Sequence, residues 1–248
     1  MRRREFLVTG ATATLLTSTN IVSTARTPLL VQPNLADLNK LTPPAAGEIP
    51  VAFAISRGAT MIDFAGPWEV FQDVMIPANA QESQQGHANH RSAFNLYTVS
   101  EKTEPIEASA GMKIIPDYTF ETAPAPKVVV IPAQAGSAAL HAWLRKIVDS
   151  TDVTMSVCTG AFQLGKAGLL SGKEATTHHE FFDQFAKAFP DVKLKRGLRF
   201  VENQKISTAG GLTSGIDLAL RVVERYFGRQ MAEQTAFYME YQSKGWIV

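Results

Sequence analysis

The chain has one cysteine in 248 residues. An internal disulfide is therefore excluded, and any use of sulfur rests on a lone thiol. Its 24 Lys and Arg nearly balance 23 Asp and Glu, and no basic stripe interleaves with aromatic residues, so no nucleic-acid partner is expected. The glycine-rich stretches lack both the lysine and spacing of a P-loop and the GxGxxG order of a dinucleotide site. No cofactor is expected. His87 and His90 sit in a polar run without a carboxylate or cysteine in register, which reads as a solvated pair and not as a metal site. The apolar stretch around Leu15 and Leu16 is too short and too rich in threonine to span a bilayer.

What the amino terminus does contain is Arg3-Arg4-Glu5-Phe6-Leu7, the mildly apolar stretch after it, and small residues at Ser23-Thr24-Ala25. That order matches a twin-arginine export signal over residues 1–25, with a disordered tail as the alternative. A periplasmic or secreted product without stable membrane insertion is the expectation. Removing Arg2, Arg3, Arg4 and Glu5 with the signal turns the formal net charge of +1 into −1. Residues 26–49, with Pro28, Pro33, Pro43 and Pro44 and no sustained period, read as a linker or a strap. Residues 50–248 are expected to form a single domain.

Within that domain strands alternate with helices. Buried-strand patterns occur at residues 50–55, 94–99, 127–131 and 153–157, the third being the continuous apolar run KVVVI. A helix is expected to start at Gly66-Pro67, where proline suits the first turn. Others are expected at residues 138–148, through Ala161, Leu164, Ala167 and Leu170, from His178 to Phe189, from Ile216 to Tyr226, and at residues 229–241. Strands at residues 193–201 and 205–208 would flank a turn at Glu202-Asn203. The long polar stretch at residues 76–92 reads as a mobile loop or a lid. The alternation predicts an α/β fold, a mostly parallel sheet between helices, with ligands outside the carboxyl ends of the strands. Asp63, Gln134 and Cys158 each follow a different strand on that edge.

Cys158 lies where the strand at residues 153–157 hands over to a helix. Such a junction places a side chain on a sharp turn and leaves the N–H groups of Thr159, Gly160 and Ala161 facing whatever binds. Partial positive charge at the helix end would lower the thiol pKa. Gly160 allows a substrate or a backbone to come close. The competing reading is a buried cysteine acting as a small hydrophobe. Trp68 would line a pocket or fill the core. Gly210-Gly211 is expected to serve tight packing at the start of the following helix, and Asp217 to complement that helix's dipole.

The stretches VCTGAFQLGKAGLLSGKEATTHHEFF, DFAGPWEVF and TAGGLTSGIDLALRVVERYFG together resemble the ThiJ/PfpI superfamily, in the branch containing isonitrile hydratase and the sensing domains of AraC-type regulators. The resemblance implies a flavodoxin-like sheet with a nucleophile elbow at Cys158, Asp63 as the acid near the sulfur, His178 as the nearby imidazole and Thr159 as an oxyanion donor. It also implies a homodimer. Where members commonly read Pro-Gly-Gly this chain has Pro132-Ala133-Gln134, so the Gln134 N–H as second donor depends on that loop's shape. The activity implied is cysteine-dependent hydration or hydrolysis of a small molecule, such as an isonitrile going to an N-substituted formamide. Ligand sensing without turnover and a redox role for the thiol are the alternatives.

Overall fold

The structure, a computed structural model, describes residues 40–77 and 90–248. The expected export signal, most of the 26–49 segment, and His87 with the middle of the 76–92 loop lie outside the described residues. Residues 40–48 behave as a strap: the Leu41 N–H donates to the Arg225 carbonyl at 2.8 Å and the Leu41 side chain packs on the core.

In chain order the first elements are β1 (Ile49–Ala54), α1 (Met61–Gln72), β2 (Met75–Pro77), β3 (His90–Ser92), β4 (Phe94–Ser100), β5 (Ile106–Glu107), β6 (Lys113–Ile114), β7 (Tyr118–Thr119) and β8 (Val128–Ile131). There follow α2 (Ala138–Ile147), β9 (Val153–Ser156), α3 (Ala161–Lys166), β10 (Glu174–Ala175), α4 (Phe182–Ala188), β11 (Lys193–Leu194), β12 (Phe200–Asn203), β13 (Ile206–Ala209), α5 (Ser214–Phe227) and α6 (Arg229–Tyr238). Seven strands form one sheet in the order β12-β13-β9-β8-β1-β4-β7. Every neighbour is parallel except β12, which runs against β13.

The sheet is covered on both faces because its strands are apolar on both. Val51, Phe53, Val128 and Val130 pack toward α1, α5 and α6, whereas Ala52, Ala54, Val129 and Ile131 pack toward α2, α3 and α4. β1 has β4 on one side and β8 on the other. The order reverses there, and in open sheets of this kind ligands bind outside the carboxyl ends of the strands at such a point.

Four expectations are corrected. The first helix starts at Met61, not at Gly66-Pro67, and contains Pro67. The missing proline N–H costs one intrahelical bond, but the Gly-Pro pair serves a close crossing: a Cβ on Gly66 would lie 2.8 Å from the Ile216 side chain, and one on Gly215 would lie 3.4 Å from Pro67. The cysteine helix stops at Lys166, short of Leu170, because Gly168 follows with φ 76°. The hairpin turn sits at Gln204-Lys205, with Gln204 at φ 47°, so Glu202 and Asn203 belong to the strand and Glu202 reaches the buried Arg221 at 2.9 Å. The last helix ends at Tyr238, not at residue 241, and the chain then folds back to bury Trp246 completely.

Gly160 carries the tightest backbone approach near the cysteine, since a Cβ there would sit 2.2 Å from the Ile131 carbonyl oxygen and 2.9 Å from that of Pro132. Gly160→Ala is expected to destabilise the chain by several kcal/mol or to prevent folding, as overpacking against backbone cannot relax. Gly168→Ala, at positive φ but in open space, is expected to cost about 1–2 kcal/mol. Urea denaturation of the two variants checks the contrast.

Candidate active site

Four neighbouring strands deliver the site. β9 leads into Cys158, which sits at φ 57° in a single turn of 3-10 helix, 158–160, ahead of α3. A non-glycine residue in the left-handed region is strained. Here the surroundings hold it from three sides. The Val157 N–H donates to the Ile131 carbonyl at 3.0 Å, the Cys158 N–H donates to the Gly210 carbonyl at 2.8 Å, and the Thr177 hydroxyl donates to the Cys158 carbonyl at 3.0 Å. β8, β13 and the segment after β10 thus fix one sharp elbow, and the cysteine is 7 % exposed.

β1 leads into Asp63 in the first turn of α1, a side chain with no exposed surface. Its Oδ2 accepts the Ala133 N–H at 3.0 Å, from the loop after β8. Its Oδ1 is buried without a partner among the described residues. Burial pushes the Asp63 carboxyl up to about 7 against the single opposing hydrogen bond from Ala133. Burial is the main cause of the rise. Near neutral pH Asp63 exchanges between a proton donor and an anion.

The expectation of an acidified thiol is corrected. Burial pushes Cys158 up to about 11, and the charge of Asp63 adds to that. Hydrogen bonds from the Thr159 N–H, the Leu212 N–H and the Thr159 hydroxyl pull the other way and lose. The helix behind the cysteine has six residues, so its end supplies little of the charge that a longer helix would concentrate. The resting thiol is neutral, beside a carboxyl group that exchanges its proton near neutral pH.

The Thr159 N–H and hydroxyl both donate to the Cys158 sulfur. The Gly160 N–H is not free: it donates to the Val157 carbonyl at 2.9 Å, and the glycine is needed for the backbone of Ile131 and Pro132. Ala161 likewise spends its N–H on the Thr159 carbonyl. The Gln134 side chain turns away to close the end of β1, with Oε1 accepting the Ser56 N–H at 2.5 Å and Nε2 donating to the Ala54 carbonyl at 2.9 Å. Its backbone N–H has no partner among the described residues. His178 covers Gly211, where a Cβ would lie 2.3 Å from the imidazole. The Glu180 N–H donates to His178 Nδ1 at 3.3 Å, which places the neutral ring's proton on Nε2 and makes that atom a donor, not a base. Trp68 packs on Phe53, ring centroids 4.8 Å apart, at the edge of the core.

Two participants escaped the sequence. The Leu212 N–H was hidden because its φ of 50° has no signature in a leucine. Thr177 lies within the quoted ATTHHE block, yet nothing in a threonine announces a bond to the elbow carbonyl. Among the described residues no three of His, Cys, Asp and Glu converge as a metal site would require, and no helix is long and apolar enough to cross a membrane.

The chain is similar to isonitrile hydratase of Pseudomonas putida, with 28 % identity over 77 % of this chain and 78 % of that protein. It is also similar to the HTH-type transcriptional regulator CdhR of Pseudomonas aeruginosa, with 32 % identity over 59 % of this chain and 45 % of the regulator, so it spans under half of that relative. Among solved structures it resembles a ThiJ/PfpI family protein from Pseudomonas syringae, with a TM-score of 0.67 and 26 % identity over 88 % of this chain and 84 % of that one. The DJ-1/PfpI family model matches residues 50–225, which takes in Asp63, Cys158 and the turn at Leu212, and the chain belongs to the DJ-1/PfpI family.

Proposed function

We propose that the chain hydrates a small, uncharged electrophile through Cys158, with an isonitrile as the substrate class, giving an N-substituted formamide. The observation that carries this reading is the buried Asp63, whose carboxyl is pushed up to about 7 by burial and whose Oδ1 has no partner among the described residues, beside a neutral thiol. Such a pair suits an addition in which a proton and a sulfur join the same atom. Asp63 gives its proton to the terminal carbon of R–N≡C, the sulfur bonds to that carbon, and the thiol proton passes to Asp63, leaving R–N=CH–S–Cys158. Water then adds at that carbon, the C–S bond breaks, and R–NH–CHO leaves with the thiol restored. The Gln134 N–H, without a partner among the described residues, and the His178 Nε2–H are donors available to the substrate nitrogen as charge moves onto it. Met61 and Ile62, beside Asp63, and Leu212 expose hydrocarbon at 38 %, 38 % and 42 %, consistent with an apolar R group.

A second reading, a ligand sensor without turnover, is favoured by the 7 % exposure of the sulfur and by the similarity to a regulator.

Purified protein mixed with alkyl isonitriles, followed by formyl-proton NMR, separates the two readings. Turnover is expected, and it should fall at least about 1,000-fold in Cys158→Ser and about 100-fold or more in Asp63→Asn. Saturable binding without formamide would instead select the sensor.

The protonated form of Asp63 is the active one in this scheme. The pH profile of kcat/KM is therefore expected to fall as pH rises through about 7, the Asp63 value, and Asp63→Asn should be flat across that range. Folding is linked to the same proton. Between the ordinary 3.8 and about 7 the folded chain holds a proton that the unfolded chain has released, so this contribution to stability is full below 3.8 and lost as pH rises through about 7. Asp63→Asn is expected to gain in melting temperature over the parent at pH 8 more than at pH 4.

A further inference from the structure

Asp217 has no part in the chemistry above, yet it is a carboxylate with no exposed surface in the first turn of α5. Three side chains hold it. Arg199 donates Nε at 2.5 Å and pairs with it through its guanidinium, the Ser243 hydroxyl reaches Oδ1 at 3.0 Å, and the Tyr241 hydroxyl lies 3.2 Å from the same oxygen. Two of these belong to the segment after α6. That segment is locked down by Trp246, fully buried, whose indole N–H donates to the Ser243 carbonyl at 3.1 Å.

The same groups grip the turn that leads from β13 into α5. The Tyr241 hydroxyl is 3.2 Å from the Thr213 carbonyl, so its one proton is shared between that oxygen and Asp217. Arg199 donates to the Thr213 hydroxyl at 3.2 Å, and its own carbonyl accepts the Gly210 N–H at 2.9 Å. At the other side of this turn the Gly210 carbonyl accepts the Cys158 N–H at 2.8 Å, and the Leu212 N–H reaches the sulfur. Leucine does not settle at φ 50° unaided. The residue next to it is the one held by Arg199 and Tyr241.

We propose that the segment after α6, through Tyr241 and the buried Asp217 with its partner Arg199, is a positioning element for the cysteine, fixing the 210–213 turn so that the Leu212 N–H stays on the Cys158 sulfur. Tyr241 touches no reacting atom. It acts through Thr213 and Leu212, and its loss removes a donor from the thiolate while leaving thiol and acid in place. The proposal depends only on the chemistry of the sulfur, not on the identity of a substrate.

Alkylation of Cys158 by iodoacetamide, followed by intact mass across pH 7–10, tests it on the whole chain. Tyr241→Phe is expected to slow alkylation at pH 8 about tenfold, which corresponds to a rise of about one unit in the thiol pKa, with the melting temperature within about 5 °C of the parent. Thr213→Val, which keeps the shape and removes the Arg199 contact, should slow it in the same direction by roughly threefold, about half a pKa unit. Ser243→Ala removes a bond to Asp217 but none to Thr213, and Tyr238→Phe alters an exposed neighbour; both should stay within about twofold of the parent, the range ordinary for surface changes. Parent-like alkylation in Tyr241→Phe and Thr213→Val would overturn the proposal. So would Ser243→Ala slowing the thiol as much as Tyr241→Phe, because general loosening would then explain both. Should Tyr241→Phe fail to fold, Thr213→Val against Ser243→Ala decides alone.

Discussion

A carboxyl group sealed from water with one oxygen bonded and the other bare is the constraint on which the site depends. The fold satisfies Asp63 Oδ2 through the Ala133 N–H and offers Oδ1 nothing among the described residues. A buried carboxylate left in that state is costly, and the group answers by keeping its proton. The thiol is subject to the same penalty. Burial raises it, and any ionisation of Asp63 raises it further, so the two groups resist being charged together. Chemistry that begins with a free thiolate is disfavoured at such a pair, and chemistry that moves a proton as the sulfur bonds is favoured.

Much of the architecture was legible from residue pattern alone. KVVVI reads as a strand covered on both faces and is one; the strand-to-helix change at Cys158 reads as an elbow and is one. The legible features are those in which residue type and backbone demand agree. The Gly66-Pro67 pair misled because its commonest use, opening a helix, was displaced by a tertiary demand for two helices to cross closely against Ile216 and Gly215. Glu202 was misplaced for a similar reason, since its ion pair with the buried Arg221 outweighs a turn-like composition.

The site divides along the same line. Side-chain chemistry could be read: Cys158, Asp63 and Thr159 converge. Backbone chemistry is legible only in part, because the direction of an N–H is set by torsions: the Thr159 N–H reaches the sulfur, while those of Gly160 and Ala161 are spent on the carbonyls of Val157 and Thr159. Leu212 joins the site through an N–H that no side chain announces, while the Gln134 side chain is spent on the end of β1. The thiol's acidity is not legible in the pattern because burial, which residue spacing does not show, outweighs the dipole of a helix start.

Cys158 and Leu212 both rest at positive φ, 57° and 50°, in segments joined through Gly210. Torsions this unfavourable are set during folding, so the backbone around the sulfur is fixed before any ligand binds. Little chain entropy remains to be surrendered when a molecule arrives. Calorimetric titration of a ligand at this site would register a modest entropic penalty, and free and occupied forms would superimpose closely around the sulfur.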